Sequence, residues 1–126
     1  IPCRCTAWTR RLAPQGKIVV QSTSPYFAPN AYWSVVATLE AAGLHTAPYH
    51  VYVPSFGEWG FVLAGRENRF PVPAAFSVPT RYLNGKTAAE MFDFPPDMAR
   101  RPVEANYLNN QMLVNYFERD WAEVIR

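Results

Sequence analysis

The sequence predicts an α/β fold, a three-stranded sheet of mixed direction with helices against it and a further helix at the C-terminus. Three stretches carry that expectation. "KIVVQ" (17–21) is a short β-branched run, and "PNAYWSVVATLEAAG" repeats its apolar residues at helical spacing. "YHVYVPSFGEWGFVLAG" (49–65) then sets two strand-like runs around a short loop. Strand, helix, strand and returning strand describe a crossover unit closed by an antiparallel hairpin.

Taken in order, "TAWTRRLAPQG" (Thr6–Gly16) suits the end of a helix, with Trp8, Arg11 and Leu12 at helical spacing and Pro14 and Gly16 stopping it. Lys17–Gln21 has the composition of a buried central strand. In the helix that follows, Pro29 suits the first turn, Tyr32, Val35, Val36 and Leu39 share one face, and Gly43 supplies the stop. The hairpin comprises His50–Val53 and Trp59–Ala64. Beyond Gly65 the chain is Pro-rich and belongs on the surface. "TAAEMF" opens a short helix with a capping box from Thr87 to Glu90. In the last helix Leu113, Tyr116, Phe117, Trp121 and Val124 form an apolar stripe whose buried face is expected to use Leu113, Phe117 and Trp121.

Composition narrows the function. The chain has 126 residues and a net charge of +2, with no basic stripe, so nucleic acid is not an expected partner. No apolar run approaches the ~20 residues that span a bilayer, which excludes direct membrane insertion by a helix. The opening "IPCRCTAWTRR" has neither an apolar signal segment nor an initiator Met, and reads as a boundary within a longer protein or a reading-frame scar. Cys3 and Cys5 have no second cysteine pair to complete a zinc site, and free thiols in a reducing cytoplasm are expected. His50 reads as a satisfied sheet residue, and His45 as a complement to the preceding helix C-terminus. Ser22, Thr23 and Ser24 lack a G-x-S-x-G context, which argues against a hydrolase.

The loop residues Phe56, Glu58 and Trp59 are unusual in a connection. A carboxylate beside an indole suits an alkylammonium, through Coulomb attraction and a cation–π contact of ~0.5–2 kcal/mol. The alternative is that Trp59 begins a core strand and Glu58 is a solvated turn residue.

From Leu12 to Trp121, and most specifically in "GKIVVQSTSPYF", "WSVVATLEAAGL" and "VPSFGEWGF", the sequence resembles the C-terminal half of the polyamine aminopropyltransferases, the spermidine synthase family. It is most similar to the bacterial branch in which the catalytic domain follows a multi-pass membrane segment. The resemblance implies the last part of a Rossmann-like methyltransferase fold, with the final strand inserted antiparallel between the other two. Residues 1–126 then form a single partial domain, a core at 12–65 followed by a Pro-rich segment and C-terminal helices at 66–126.

The reaction so implied moves an aminopropyl group from decarboxylated S-adenosylmethionine to putrescine. A neutral amine attacks the carbon next to a sulfonium, so one end of the diamine must lose its proton first. Carried over by position, Gln21 matches a Gln lining the family's polyamine groove, and Pro54–Ser55–Phe56 match its Pro-Thr/Ser-Tyr loop. Phe56 stands where many members have Tyr, so a hydroxyl acceptor is lost. The Gly-rich turn, the ribose-binding acid and the Asp-rich motif that supplies the base are absent from these residues. The expectation is therefore part of a polyamine groove, with no catalytic residue, cofactor site or metal site in this chain and no activity alone. A cytoplasmic location follows, even in relatives with a membrane anchor.

The rival expectation is a non-enzymatic interaction or assembly module on a remnant sheet. The bare edge of "KIVVQ" predicts a homo-oligomer in either case, symmetric about this edge or exchanging its N-terminal segment, and burying more than ~1,000 Å².

Overall fold

The computed structural model describes residues 9–106 and 111–125, so Cys3, Cys5 and Trp8 lie outside the described residues. Strand β1 (Lys17–Gln21) is followed by helix α1 (Pro29–Ala41), strands β2 (His45–Val53) and β3 (Gly57–Gly65), helix α2 (Gly85–Glu90) and helix α3 (Met112–Ile125). A 3-10 turn at Pro96–Met98 precedes α3. Strand β3 lies between the other two and pairs antiparallel with both, Lys17 opposite Gly65 on one side and Val53 opposite Gly57 on the other. Strands β1 and β2 therefore point the same way, which is the mixed arrangement expected.

Two strand expectations need correction. Strand β2 begins at His45 rather than His50, and it carries Pro48 in its middle. A proline is tolerated there because β2 is an edge strand, where a missing N–H breaks no ladder bond. Strand β1 is an edge as well among the described residues, the bare edge expected for "KIVVQ", and not the buried central strand its composition suits. Ile18 and Val20 are half-buried toward α1, while Lys17, Val19 and Gln21 are exposed on the opposite side. The uninterrupted apolar run looks like a strand covered on both faces, but only one face is covered here.

Helix α1 explains most of the core. Pro29 occupies its first turn, and Gly43, at φ +90°, ends it. The Gly43 N–H donates to Glu40 O (3.0 Å) and the Leu44 N–H to Leu39 O (3.2 Å), the paired bonds of a left-handed C-terminal cap. Tyr32, Val36 and Leu39 pack with Val62 and Ala64 of β3. The helix is buried on a second side too, because residues 98–106 are strapped across it. The Trp33 Nε1–H donates to Met98 O (3.2 Å), Ser34 Oγ to Glu104 O (2.7 Å), and the Asn106 N–H to Thr38 Oγ1 (2.8 Å).

The C-terminal helix departs from expectation. Phe117 and Val124 are each 43% exposed, and Leu113, Tyr116 and Trp121 are only half-buried. Its buried residue is Asp120, at 3% exposure. The apolar stripe makes edge contacts instead: Trp121 stacks on Phe27 at 6.1 Å and Phe117 meets Trp121 at 5.9 Å. Helix α2 also starts earlier than expected. Asn84 is its cap, and Thr87 is the far half of the box. The Thr87 N–H donates to Asn84 Oδ1 (2.9 Å) and the Asn84 N–H to Thr87 Oγ1 (2.8 Å).

Tyr32 is the pin between helix and sheet. Its ring is fully buried, and its hydroxyl donates to Phe61 O (2.8 Å) and reaches Tyr49 O (3.2 Å). Burial is the main cause that holds its phenol proton well above the usual tyrosine range. An unfolded tyrosine loses that proton near pH 10. The stabilisation is complete below that pH and is lost progressively as the pH rises from about 10 toward the higher folded value, at about 1.4 kcal/mol per pH unit. Denaturant melts between pH 9 and 11 are expected to show this slope, and Tyr32→Phe to flatten it. An unchanged slope in the variant would assign the alkaline loss to other groups.

Candidate functional site

Strand alternation gives the sheet two different faces. Glu58, Gly60, Val62 and Ala64 of β3 point toward α1, and Trp59, Phe61 and Leu63 point away from it. On that second face a cleft of about 290 Å³ is lined by Gln21, Val53, Phe56, Trp59 and Phe61. Gln21 stands opposite Phe61 in the β1–β3 ladder, which fixes its amide at one end of the cleft. Phe56 arrives from the hairpin. Its N–H donates to Val53 O (2.9 Å), closing the turn over Pro54 and Ser55, and Gly57 then takes the left-handed φ of +80° that restarts the ladder.

The cleft is aromatic and carries little polarity. The Phe56 and Trp59 rings meet edge-on at 6.1 Å and 79°, and Phe61 stacks on Tyr49 at 5.3 Å and 12°. Phe56 is 68% exposed, so one wall of the cleft is open to solvent. Gln21 supplies the amide that can accept from an ammonium. Trp59 Nε1 is buried and has no hydrogen-bond partner. A donor of that kind cannot serve an ammonium group, so the indole face is what an alkylammonium would use.

The six residues marked in the sequence do not all converge. Gln21, Phe56 and Trp59 come together in the cleft. Pro54 and Ser55 are exposed at the hairpin tip and shape the turn without lining the cleft. Glu58 lies on the opposite face from Trp59, so the two do not form one cradle. The pleat separates neighbours in a strand, a consequence that reading them as loop residues conceals.

Glu58 has a different partner. Its Oε2 lies 2.8 Å from His50 Nδ1, and His50 Nε2 lies 2.6 Å from Asp93 O. This diagonal pair ties β2 and β3 to the segment after α2, and both ring nitrogens of His50 are used, as expected for a satisfied sheet histidine. Val53 and Phe61 were not singled out from the sequence. The signal that finds them is the period-2 pattern extended from Trp59 along β3 and across to β2.

No family model matches the chain. Curated relatives do match. The chain is 57% identical over 120 residues to polyamine aminopropyltransferase 2 of Ralstonia nicotianae, a match that covers 94% of this chain and 23% of that protein. It is 44% identical over 116 residues to the polyamine aminopropyltransferase of Leptospira interrogans, covering 92% of this chain and 23% of the relative. The Mycobacterium tuberculosis polyamine aminopropyltransferase is 38% identical over 114 residues, covering 89% and 22%. Over about nine tenths of its length, the chain is similar to polyamine aminopropyltransferases, and it spans less than a quarter of the length of these relatives.

Proposed function

We propose that the chain is a C-terminal portion of a spermidine synthase-like aminopropyltransferase, and that its aromatic cleft is one wall of the groove that holds the polyamine. The observation that carries this reading is the convergence of Gln21 and Phe56, 35 positions apart in sequence, on one 290 Å³ cleft. Phe56, Trp59 and Phe61 offer apolar surface for a run of methylenes, and the Gln21 amide oxygen can accept from a terminal ammonium. The lining has no carboxylate, so an alkylammonium gains little Coulomb energy here and binding by this wall alone is weak.

The nucleoside of decarboxylated S-adenosylmethionine and the base that deprotonates the amine would be supplied by the rest of such an enzyme. The relatives' greater length leaves room for those parts and for the membrane segment of the bacterial branch, with this portion on the cytoplasmic side.

The test has two arms. In amide and indole NMR spectra, spermidine or putrescine at tens of millimolar is expected to shift Gln21, Phe56 and the Trp59 indole, with Trp59→Ala abolishing the effect. Shifts spread evenly over acidic surface residues, or none at all, would overturn the groove assignment. Purified chain is also expected to transfer no aminopropyl group above background. Turnover that scales with protein and vanishes in a Gln21→Ala, Glu58→Ala variant would refute the partial-site reading.

A further inference from the structure

His50 sits where two acceptors meet. Its Nε2 lies 2.6 Å from Asp93 O, and a carbonyl oxygen can only accept, so Nε2 carries a proton. Its Nδ1 lies 2.8 Å from Glu58 Oε2. An ionised carboxylate likewise only accepts, and a carboxyl group is by far the stronger acid of the two. That contact is therefore a hydrogen bond only if Nδ1 carries a proton too. A neutral imidazole has one N–H to give and would turn a lone pair on the carboxylate. The imidazolium has two, and meets both demands.

The surroundings suit the charged form. The His50 and Glu58 side chains are 13% and 26% exposed, and the Phe94 ring lies 4.7 Å from the imidazole, so water screens the pair only in part. The elements packed here bring acidic or neutral groups. Strand β3 presents Glu58, residues 91–94 contain Asp93, and α1 contributes Tyr32, which packs on Phe94 and keeps its proton. Among the described residues Glu58 has no second cationic partner.

We propose that His50 is an imidazolium in the folded chain, and that its second proton is a clasp fixing the β2–β3 hairpin to residues 91–94. The His50 backbone N–H also donates to Met91 O (2.9 Å), so side chain and backbone grip the same segment. Glu58 stands between Gly57, where the ladder restarts, and Trp59. The clasp thereby orders the hairpin that carries Phe56 and Trp59. Removing one proton leaves the Nδ1 lone pair against Glu58 and releases that side chain. The fold favours the protonated ring, so the added order is present at lower pH and declines as the pH rises past the range in which histidine gives up its proton. A carboxylate committed to His50 is also unavailable to an amine, in keeping with the absence of Glu58 from the cleft lining. Polyamine binding plays no part in this clasp.

Imidazole nitrogen NMR spectra of the chain near pH 7 are expected to show both His50 nitrogens protonated, with the exposed His45 as an unclasped reference in the same spectrum. Glu58→Gln offers an amide N–H to Nδ1, so the contact survives with a neutral ring. In that variant His50 is expected to show a single N–H, at Nε2. Raising the pH from about 6 to about 9 is expected to cost the wild-type amides of Gly57–Phe61 protection beyond the intrinsic rise in exchange rate, and Glu58→Gln to lose that excess. A bare Nδ1 in the wild type near pH 7 overturns the proposal whatever the variant does. A second N–H that persists in Glu58→Gln overturns it too. So does wild-type hairpin exchange with no excess pH dependence, or an equal excess in the variant.

Discussion

Gly60→Ala is expected to leave little folded protein. A Cβ at this position would lie 2.4 Å and 2.6 Å from Tyr32 ring carbons and 2.5 Å from Thr23 O, all far inside van der Waals contact. None of the three can yield cheaply. The Tyr32 ring is held by its hydroxyl on two backbone carbonyls and by Trp33 packed edge-on at 5.0 Å. Thr23 O belongs to the backbone just after β1, which the Ser22 N–H to Gly60 O bond fixes to β3. Overpacking in a rigid core typically costs 1–3 kcal/mol, and a clash against backbone as well as a locked ring belongs at or above ~3 kcal/mol. That is a large fraction of the 5–15 kcal/mol by which domains are usually stable. Gly57→Ala is the control, since its Cβ would meet only Phe27 at 3.5 Å and the cost is confined to the left-handed φ of +80°. Urea melts should rank Gly60→Ala well below Gly57→Ala. A Gly60→Ala protein within ~1 kcal/mol of wild type would mean that Tyr32 is not pinned as described.

The sequence made the order of elements legible because each is announced by local chemistry. Pro29 and Gly43 bracket α1, and the alternation from Trp59 onward marks β3. Gln21 and Phe56 were also legible, through resemblance, and the fold brings them to one cleft. What could not be read locally depended on partners distant in sequence. Glu58 was assigned to a loop and so to the wrong side of Trp59, because the hairpin turn is tighter than the run of Pro, Ser, Phe and Gly suggests. Trp33 and Ser34 lie outside the Tyr32, Val35, Val36 and Leu39 face, and nothing in α1 tells of the 98–106 strap that covers them. The C-terminal helix is the clearest case, for its apolar stripe drew attention from the one polar residue that is buried.

That residue carries the second large prediction. Helix α1 begins at Pro29 behind Ala28, a cap residue with no side chain able to accept from the first turn. Asp120, on α3, supplies the missing acceptor from 89 positions away. Its Oδ2 accepts from the Ala31 N–H at 3.0 Å and its Oδ1 from Asn30 Nδ2 at 2.7 Å. A carboxylate at this place satisfies a free N–H and also meets the positive end of the helix dipole, in a position only 3% exposed. Asp120→Ala removes both bonds, leaving the buried Ala31 N–H unpaired and the half-buried Asn30 amide without this acceptor. The expected loss is about 2–4 kcal/mol, the cap contribution plus the cost of stranding those donors. Asp120→Asn keeps an acceptor oxygen for one of the two and should recover part of the loss. Apart from Asp120, α3 is held by Trp121 on Phe27 and by two bonds to the 98–106 strap, the Glu104 N–H to Tyr116 Oη (3.2 Å) and the Leu113 N–H to Asn106 Oδ1 (3.0 Å), so the alanine variant should also raise amide exchange along α3 before β2 and β3 are affected. A melt within 0.5 kcal/mol of wild type, with unchanged exchange in α3, would show that this helix is anchored by its aromatic and strap contacts rather than by the buried carboxylate.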